Sequence, residues 1–223
     1  MLKNFLQTSY LKKYYPNIDS NLWKNTSDFS MQIDLGFTKF EQDLLSRGID
    51  TRKIMLPYVL TSSIAVSSSL TTEWFEISSD YKRLYVKSEN SAATDNVFLL
   101  QGSHDKTTIK DVTTLTVNGN GNENVEITEL YKYYRATVTG TALNATVEMY
   151  ETIYDRALTN AAFIFIYRDF MKEPEDIWDI RRKFAEQDYS DSLNSLKVIY
   201  DADDNQDPSN DSKISTLDIT LVR

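Results

Sequence analysis

Apolar residues recur at two different periods along this 223-residue chain, and the switches between them divide it into three stretches. In the first, Phe29, Ile33, Phe37, Phe40 and Leu44 fall at steps of four, four, three and four, one face of an α-helix. Ser27 is a suitable N-cap just before that run, and Gly48 follows its end, where a left-handed residue is wanted. Upstream, Leu2, Phe5, Leu6 and Tyr10 predict a shorter helix ended by Pro16. Downstream, Thr51 to Leu60 is apolar enough to dock, with Pro57 limiting its helical length.

From about Thr71 to Glu151 the period changes to two. Short alternating or β-branched runs span 74–77, 83–87, 97–101, 113–117, 125–127, 134–139 and 146–150, with turn-forming residues between them. Strands at this spacing predict an antiparallel β-sandwich. Gly119 and Gly121 in the Asn-Gly-Asn-Gly-Asn segment read as a hairpin tip.

After Thr152 the helical period returns. Ile153, Ala157, Ala161, Ile164 and Phe165 share a face; Ile177, Ile180 and Phe184 continue as a second amphipathic helix behind Pro174; Leu193, Leu196 and Tyr200 predict a third helical piece. An Asp-rich loop follows, and Ile214, Leu217, Ile219 and Leu221 predict a C-terminal strand. The expected fold is α+β: a helical bundle, formed by residues 1–70 and 153–223, with a β-sandwich inserted at 71–152 and a C-terminal strand.

Composition narrows what such a chain can do. With 33 acidic against 24 basic residues the net charge is −9, which argues against a protein that mainly grips nucleic-acid phosphates. The absence of Cys excludes disulfide frameworks and thiolate zinc sites, and a single His excludes His-pair metal centres. No P-loop or dinucleotide fingerprint is present. The longest apolar run, Ala161 to Tyr167, is far shorter than the roughly 20 residues a bilayer-spanning helix needs, and no secretory leader is recognisable at Met1. A soluble, non-enzymatic protein without cofactor or membrane partner is expected.

Three segments carry candidate chemistry. His104 precedes Asp105, a carboxylate that could orient a general base, although neighbours in a turn point apart and no nucleophile is indicated. Asp201, Asp203, Asn205 and Asp207 alternate like the opening of a calcium loop, yet Gln206 and Ser212 stand where Gly and a bidentate Glu belong, so they are weak metal candidates. In Tyr131-Lys-Tyr-Tyr-Arg135 aromatic and basic residues interleave; a strand would place Tyr131, Tyr133 and Arg135 on one face, either as core lining or as a platform for sugar or single-stranded nucleic acid.

The helical pieces, the acidic loop after Leu196-Lys-Val-Ile-Tyr-Asp201 and the short terminal strand together resemble head–tail connector (adaptor) proteins of tailed bacteriophages. Ala161–Phe170 followed by Trp178–Phe184 is similar to their central helix pair, and the Asn/Tyr/Lys-rich composition is similar to ring proteins of crAss-like phages. The Gln101-Gly-Ser103 and Tyr134-Arg135 segments look like those of phage and sugar-binding sandwich domains. The resemblance implies a structural virion protein, assembled in the host cytoplasm into a homo-oligomeric ring of about twelve copies below the portal, contacting portal and tail proteins while DNA passes through the lumen. On that reading helix faces and strand addition carry assembly, through Phe29, Ile33, Phe37, Phe165, Trp178, Leu217, Ile219 and Leu221. The alternative is a carbohydrate- or host-binding virion module carried by the sandwich.

Overall fold

A computed structural model describes residues 2–15, 18, 28–90, 94–201, 204–206 and 213–215. The chain forms two compact units, Met1–Met55 with Ile153–Arg223, and Leu56–Thr152. The sequence boundary at residue 70 is therefore corrected to 55. Strands β1 (Tyr58–Val66) and β2 (Ser69–Thr71) belong to the β unit. Their Ser- and Thr-rich sequence gives no alternation because β1 is an edge strand, with Ser62 to Ala65 all exposed.

The helical unit comprises α1 (Thr8–Tyr14), α2 (Ser30–Ser46), α3 (Asp155–Phe170) and α4 (Ile177–Ser195). Helix α3 is apolar nearly all round, burying Ala157, Leu158, Ala161, Ala162, Phe163, Ile164 and Ile166, as a central helix must. Helix α2 approaches α3 backbone to backbone: a Cβ on Gly36 would lie 2.6 Å from the Ala162 amide nitrogen. Its buried face is Ile33, Gly36, Phe40 and Leu44, so the stripe runs through Gly36 and leaves Phe37 at its flank, half-buried. The helix ends in a Schellman motif, with Gly48 at φ +80°, Gly48 N–H donating to the Leu45 carbonyl and Ile49 N–H to that of Leu44.

Two sequence expectations change in the last third. The second and third helical pieces are one helix, α4, whose N-cap is Asp176; its carboxylate accepts from the amides of Trp178 and Asp179 at 2.8 Å. Residues 197–199 are not helical but form β10 (Lys197–Ile199), paired antiparallel with β11 (Lys213–Ser215). Adjacent buried β-branched residues, Val198 and Ile199, favour that extended segment. Leu217, Ile219 and Leu221 of the expected terminal strand lie outside the described residues, as do Pro16 and Ser27.

The β unit holds two antiparallel sheets. One has the order β1-β9-β4-β7, with β4 at Tyr81–Glu89, β7 at Gly121–Glu126 and β9 at Ala142–Glu151. The other has the order β2-β8-β5-β6, with β5 at Asp95–Ser103, β6 at Lys110–Asn118 and β8 at Tyr133–Thr139; β3 (Phe75–Glu76) also pairs with β8. Alternate residues of the central strands are buried: Leu84 and Val86, Phe98 and Leu100, Tyr134, Ala136 and Val138, Val147 and Met149. A buried hydrogen bond from Asn96 Nδ2 to Ser88 Oγ (2.9 Å) ties β5 to β4. Gly119 (φ +60°) is not a hairpin tip. β6 pairs with β5 and β7 with β4, so residues 119–120 carry the chain from one sheet to the other. Among the described residues no helix is long and apolar enough to cross a membrane.

Candidate functional site

Two surfaces carry groups that the fold itself leaves unused. The first lies on α4. Ile177, Ile180 and Phe184, spaced three and four apart, are 55%, 43% and 67% exposed, while the opposite side of the helix buries Ala185, Tyr189 and Leu193. Periodicity identified the stripe but not which way it faces. The core side is supplied by smaller and polar residues such as Ser192 and Asp179, which no apolar count detects. Asp179 is held ionised, well below the usual carboxylate range, by Lys183 (2.9 Å) and Arg182 (2.8 Å).

The residues expected to carry assembly are distributed differently. Phe29 and Ile33 are 3% and 4% exposed and line the core of their own unit. Phe29 meets Phe170 edge-on at 6.2 Å, and Phe170 meets Trp178 at 5.0 Å. Trp178 also stacks on Tyr167 and carries the Arg181 guanidinium at 4.9 Å, so it closes an aromatic cluster inside the unit. Phe165 is half-buried under Arg168, 4.7 Å from its ring. The contacts of Phe29 and Trp178 with Phe170 and Tyr167 join the start of α2, α3 and α4 through aromatic faces.

Part of the calcium-like loop lies within the described residues. Asp201 is buried and its carboxylate accepts from the amides of Asn205 (3.1 Å) and Gln206 (3.2 Å), which shapes the loop. Asp203 and Asp207 lie outside the described residues, and among those described no group of three potential ligands converges. His104 is exposed and packs beside Tyr131 at 5.1 Å. Asp105 turns away from it to accept from the amides of Thr108 (2.7 Å) and Thr107 (2.8 Å), which hold its carboxyl far below the usual range.

The second surface is the outer face of β8 and β5, where the interleaved aromatic and basic segment lies. Tyr133 and Arg135 do point outward together, and Tyr134 is fully buried, its hydroxyl pushed up by burial. Tyr131 departs from the expected face. It precedes the strand, packs against Gly102 and meets Tyr134 edge-on at 6.2 Å. Its place is taken by Trp74. Opposite Ala136 the neighbouring edge bulges: Thr71 pairs with Thr137 and Phe75 with Tyr134, leaving three residues against two. Thr72 repairs the ladder, its Oγ1 accepting from the Ala136 amide at 3.0 Å. The bulge brings Trp74 over Arg135, whose guanidinium lies 4.7 Å from the indole. Arg135 Nε donates to Gln101 Oε1 (2.9 Å), and Gln101 Nε2 donates to Asp111 (2.7 Å), across a second register shift after Leu100. Lys106 lies 4.5 Å from the centre of the Tyr133 ring, and Lys132 lies 5.0 Å from it while pairing with Glu76 at 3.6 Å. Trp74 opened a strand run in the sequence, but nothing there set it beside Arg135, because a bulge is set by pairing rather than by composition.

No family model matches the chain, and no curated protein matches it. Among solved structures it is similar to the PBSX exported protein XepA, at 10% identity and a TM-score of 0.34, over 43% of this chain and 36% of that one. It is also similar to PirA, at 9% identity and a TM-score of 0.25, over 37% of this chain and 89% of that one. The chain thus spans about a third of XepA's length. Overlaps this loose carry no argument about what the protein does.

Proposed function

We propose that this protein is a structural subunit of a phage head-to-tail connector, assembling through its helical unit into a closed ring beneath the portal. The observation that carries the reading is the exposed apolar stripe Ile177–Ile180–Phe184, set on a packed helix whose other side is fully used. Apolar side chains at helical spacing gain by being covered, and a neighbouring copy that covers them with a different patch makes a head-to-tail contact, which a rotation closes into a ring. The arrangement of helices followed by a β10–β11 pair supports the same reading, since connector subunits, which the chain resembles, carry a short strand after their bundle. A net charge of −9 suits a lumen that must let DNA slide rather than hold its phosphates.

The test is assembly. Size-exclusion chromatography with light scattering and negative-stain microscopy of the full chain, alone and with its portal, should give closed cyclic oligomers that Phe184→Glu disperses into folded monomers. A chain that stays monomeric at about 100 μM, with and without portal, overturns the proposal.

A further inference from the structure

The outer face of β8 holds two cations, Arg135 and Lys106, that have no ion pair among the described residues. In a chain with 33 acids against 24 bases, two of these cations sit on aromatic rings instead of on carboxylates. Arg135 uses Nε for Gln101 and lays its guanidinium on Trp74; among the described residues its two terminal nitrogens have no hydrogen-bond partner. Lys106 rests on Tyr133 and has no ion pair among the described residues. Its backbone is held at φ +65°, with its amide donating to Ser103 Oγ at 2.8 Å, so the turn presents it in a strained conformation. Both bulges in this sheet, opposite Ala136 and after Leu100, flank the same residues.

We infer that this face binds an acidic saccharide, a pyranose bearing a carboxylate, with Arg135 and Lys106 taking the carboxylate and Trp74 and Tyr133 taking the sugar ring. A cation resting on an aromatic ring is weakly held, and a carboxylate offers it charge-assisted hydrogen bonds that are stronger, in the forked geometry an arginine favours. When Lys106 swings to the carboxylate, the Tyr133 ring face it leaves is apolar and suited to a sugar's C–H face. Tyr133 and Arg135 alternate on one strand, which places them about 7 Å apart, the scale of one pyranose.

The surrounding charge selects sugar over nucleic acid. Asp111, Glu76 and the Gln101 amide border the cations. Acceptors of that kind bind hydroxyl groups, whereas a polyphosphate would meet them at every step. The inference concerns the β unit alone and stands whether or not the helical unit assembles.

Isothermal titration and amide-shift mapping on the full chain test it, with oligogalacturonate and sialyllactose as acidic probes, lactose as the neutral one and a dT oligonucleotide as competitor. Binding of an acidic probe at millimolar concentrations or below is expected, with shifts centred on Trp74, Gln101, Tyr133 and Arg135, and with lactose at least about tenfold weaker. Arg135→Gln and Trp74→Ala should each weaken it about tenfold; Arg135→Lys, which keeps charge without the fork, should fall between and guards against a folding defect. The inference is overturned if neither acidic probe binds up to about 10 mM. Equal binding of lactose, unaltered binding by all three variants, or an oligonucleotide that binds this face more tightly also overturns it.

Discussion

Replacing Gly36 by Ala tests whether α2 and α3 are in backbone contact. The added methyl would sit 2.6 Å from the Ala162 amide nitrogen, 2.8 Å from its Cα and 2.9 Å from the Ala161 carbonyl carbon. Carbon atoms rest at about 3.5 Å or more, so the helices must part by roughly 0.5–1 Å. None of the obstructing atoms is the end of a side chain that could swing aside. Parting would loosen Ile33, Phe40 and Leu44 against α3, and overpacking of a dense core costs about 1–3 kcal/mol, occasionally more. Against this, Ala is a better helix former than Gly by about 1 kcal/mol. The sum is a net loss of up to about 2 kcal/mol, visible in urea melts followed by circular dichroism at the helical wavelength as a midpoint lowered by up to about 1 M. Ala162→Gly in the same background should not restore stability, because the clash is with backbone. A raised midpoint for Gly36→Ala, or full rescue by Ala162→Gly, would refute the packing argument.

Four further outcomes follow. Phe40→Ala, at a fully buried position, should cost about 3–5 kcal/mol in the same melts, and Phe37→Ala at the flank distinctly less. Phe184→Glu should leave the unfolding free energy of the monomer within about 0.5 kcal/mol of wild type while removing ring formation in light scattering. A fragment of residues 56–152 should give dispersed amide signals, whereas 71–152, lacking the β1 strand that pairs with β9 from Tyr58–Met149 to Val66–Ala142, should not. Asp50, lowered to about 2 by its hydrogen bonds to the Arg52 side chain and amide, favours the folded state above the ordinary carboxylate pKa; that contribution fades as pH falls from about 4 toward 2, and Asp50→Asn should remove this part of the acid dependence.

The helical parts of the fold were legible where burial is one-sided, as in α2, whose Gly48 stop is the observed left-handed residue just after the C-cap. All seven runs read from alternation overlap strands, and in β4, β5, β8 and β9 alternate side chains are buried in a core. What escaped follows from positions where local pattern and tertiary role separate. The edge strand β1 is mostly exposed and so escaped the alternation; Leu193, Leu196 and Tyr200 keep a helical spacing, but residues 197–199 between them pair with β11. On α4 the apolar stripe was visible and its direction was not, since whether a face meets its own chain or another's is not written in periodicity. The interleaved Tyr/Lys/Arg segment was recognisable, but Trp74 and Gln101 join it only through pairing, a bulge and a register shift.

The position of the β unit has a consequence for how the molecule reaches its fold. Residues 56–152 interrupt the helical unit between α2 and α3, so the central helix packing must wait for 97 intervening residues to bring their ends together. For a flexible chain that closure costs roughly 4 kcal/mol, the logarithmic term for a loop of this length. Once the β unit is folded, Tyr58 and Met149 are paired neighbours on β1 and β9, and the disorder of the span between them has already been surrendered. The closure term favours an order in which the sheets form first and the helices inherit termini held close. A folded insert here works like a clasp, and any replacement of comparable length without adjacent ends would slow the helical unit's assembly and leave its apolar faces open to aggregation.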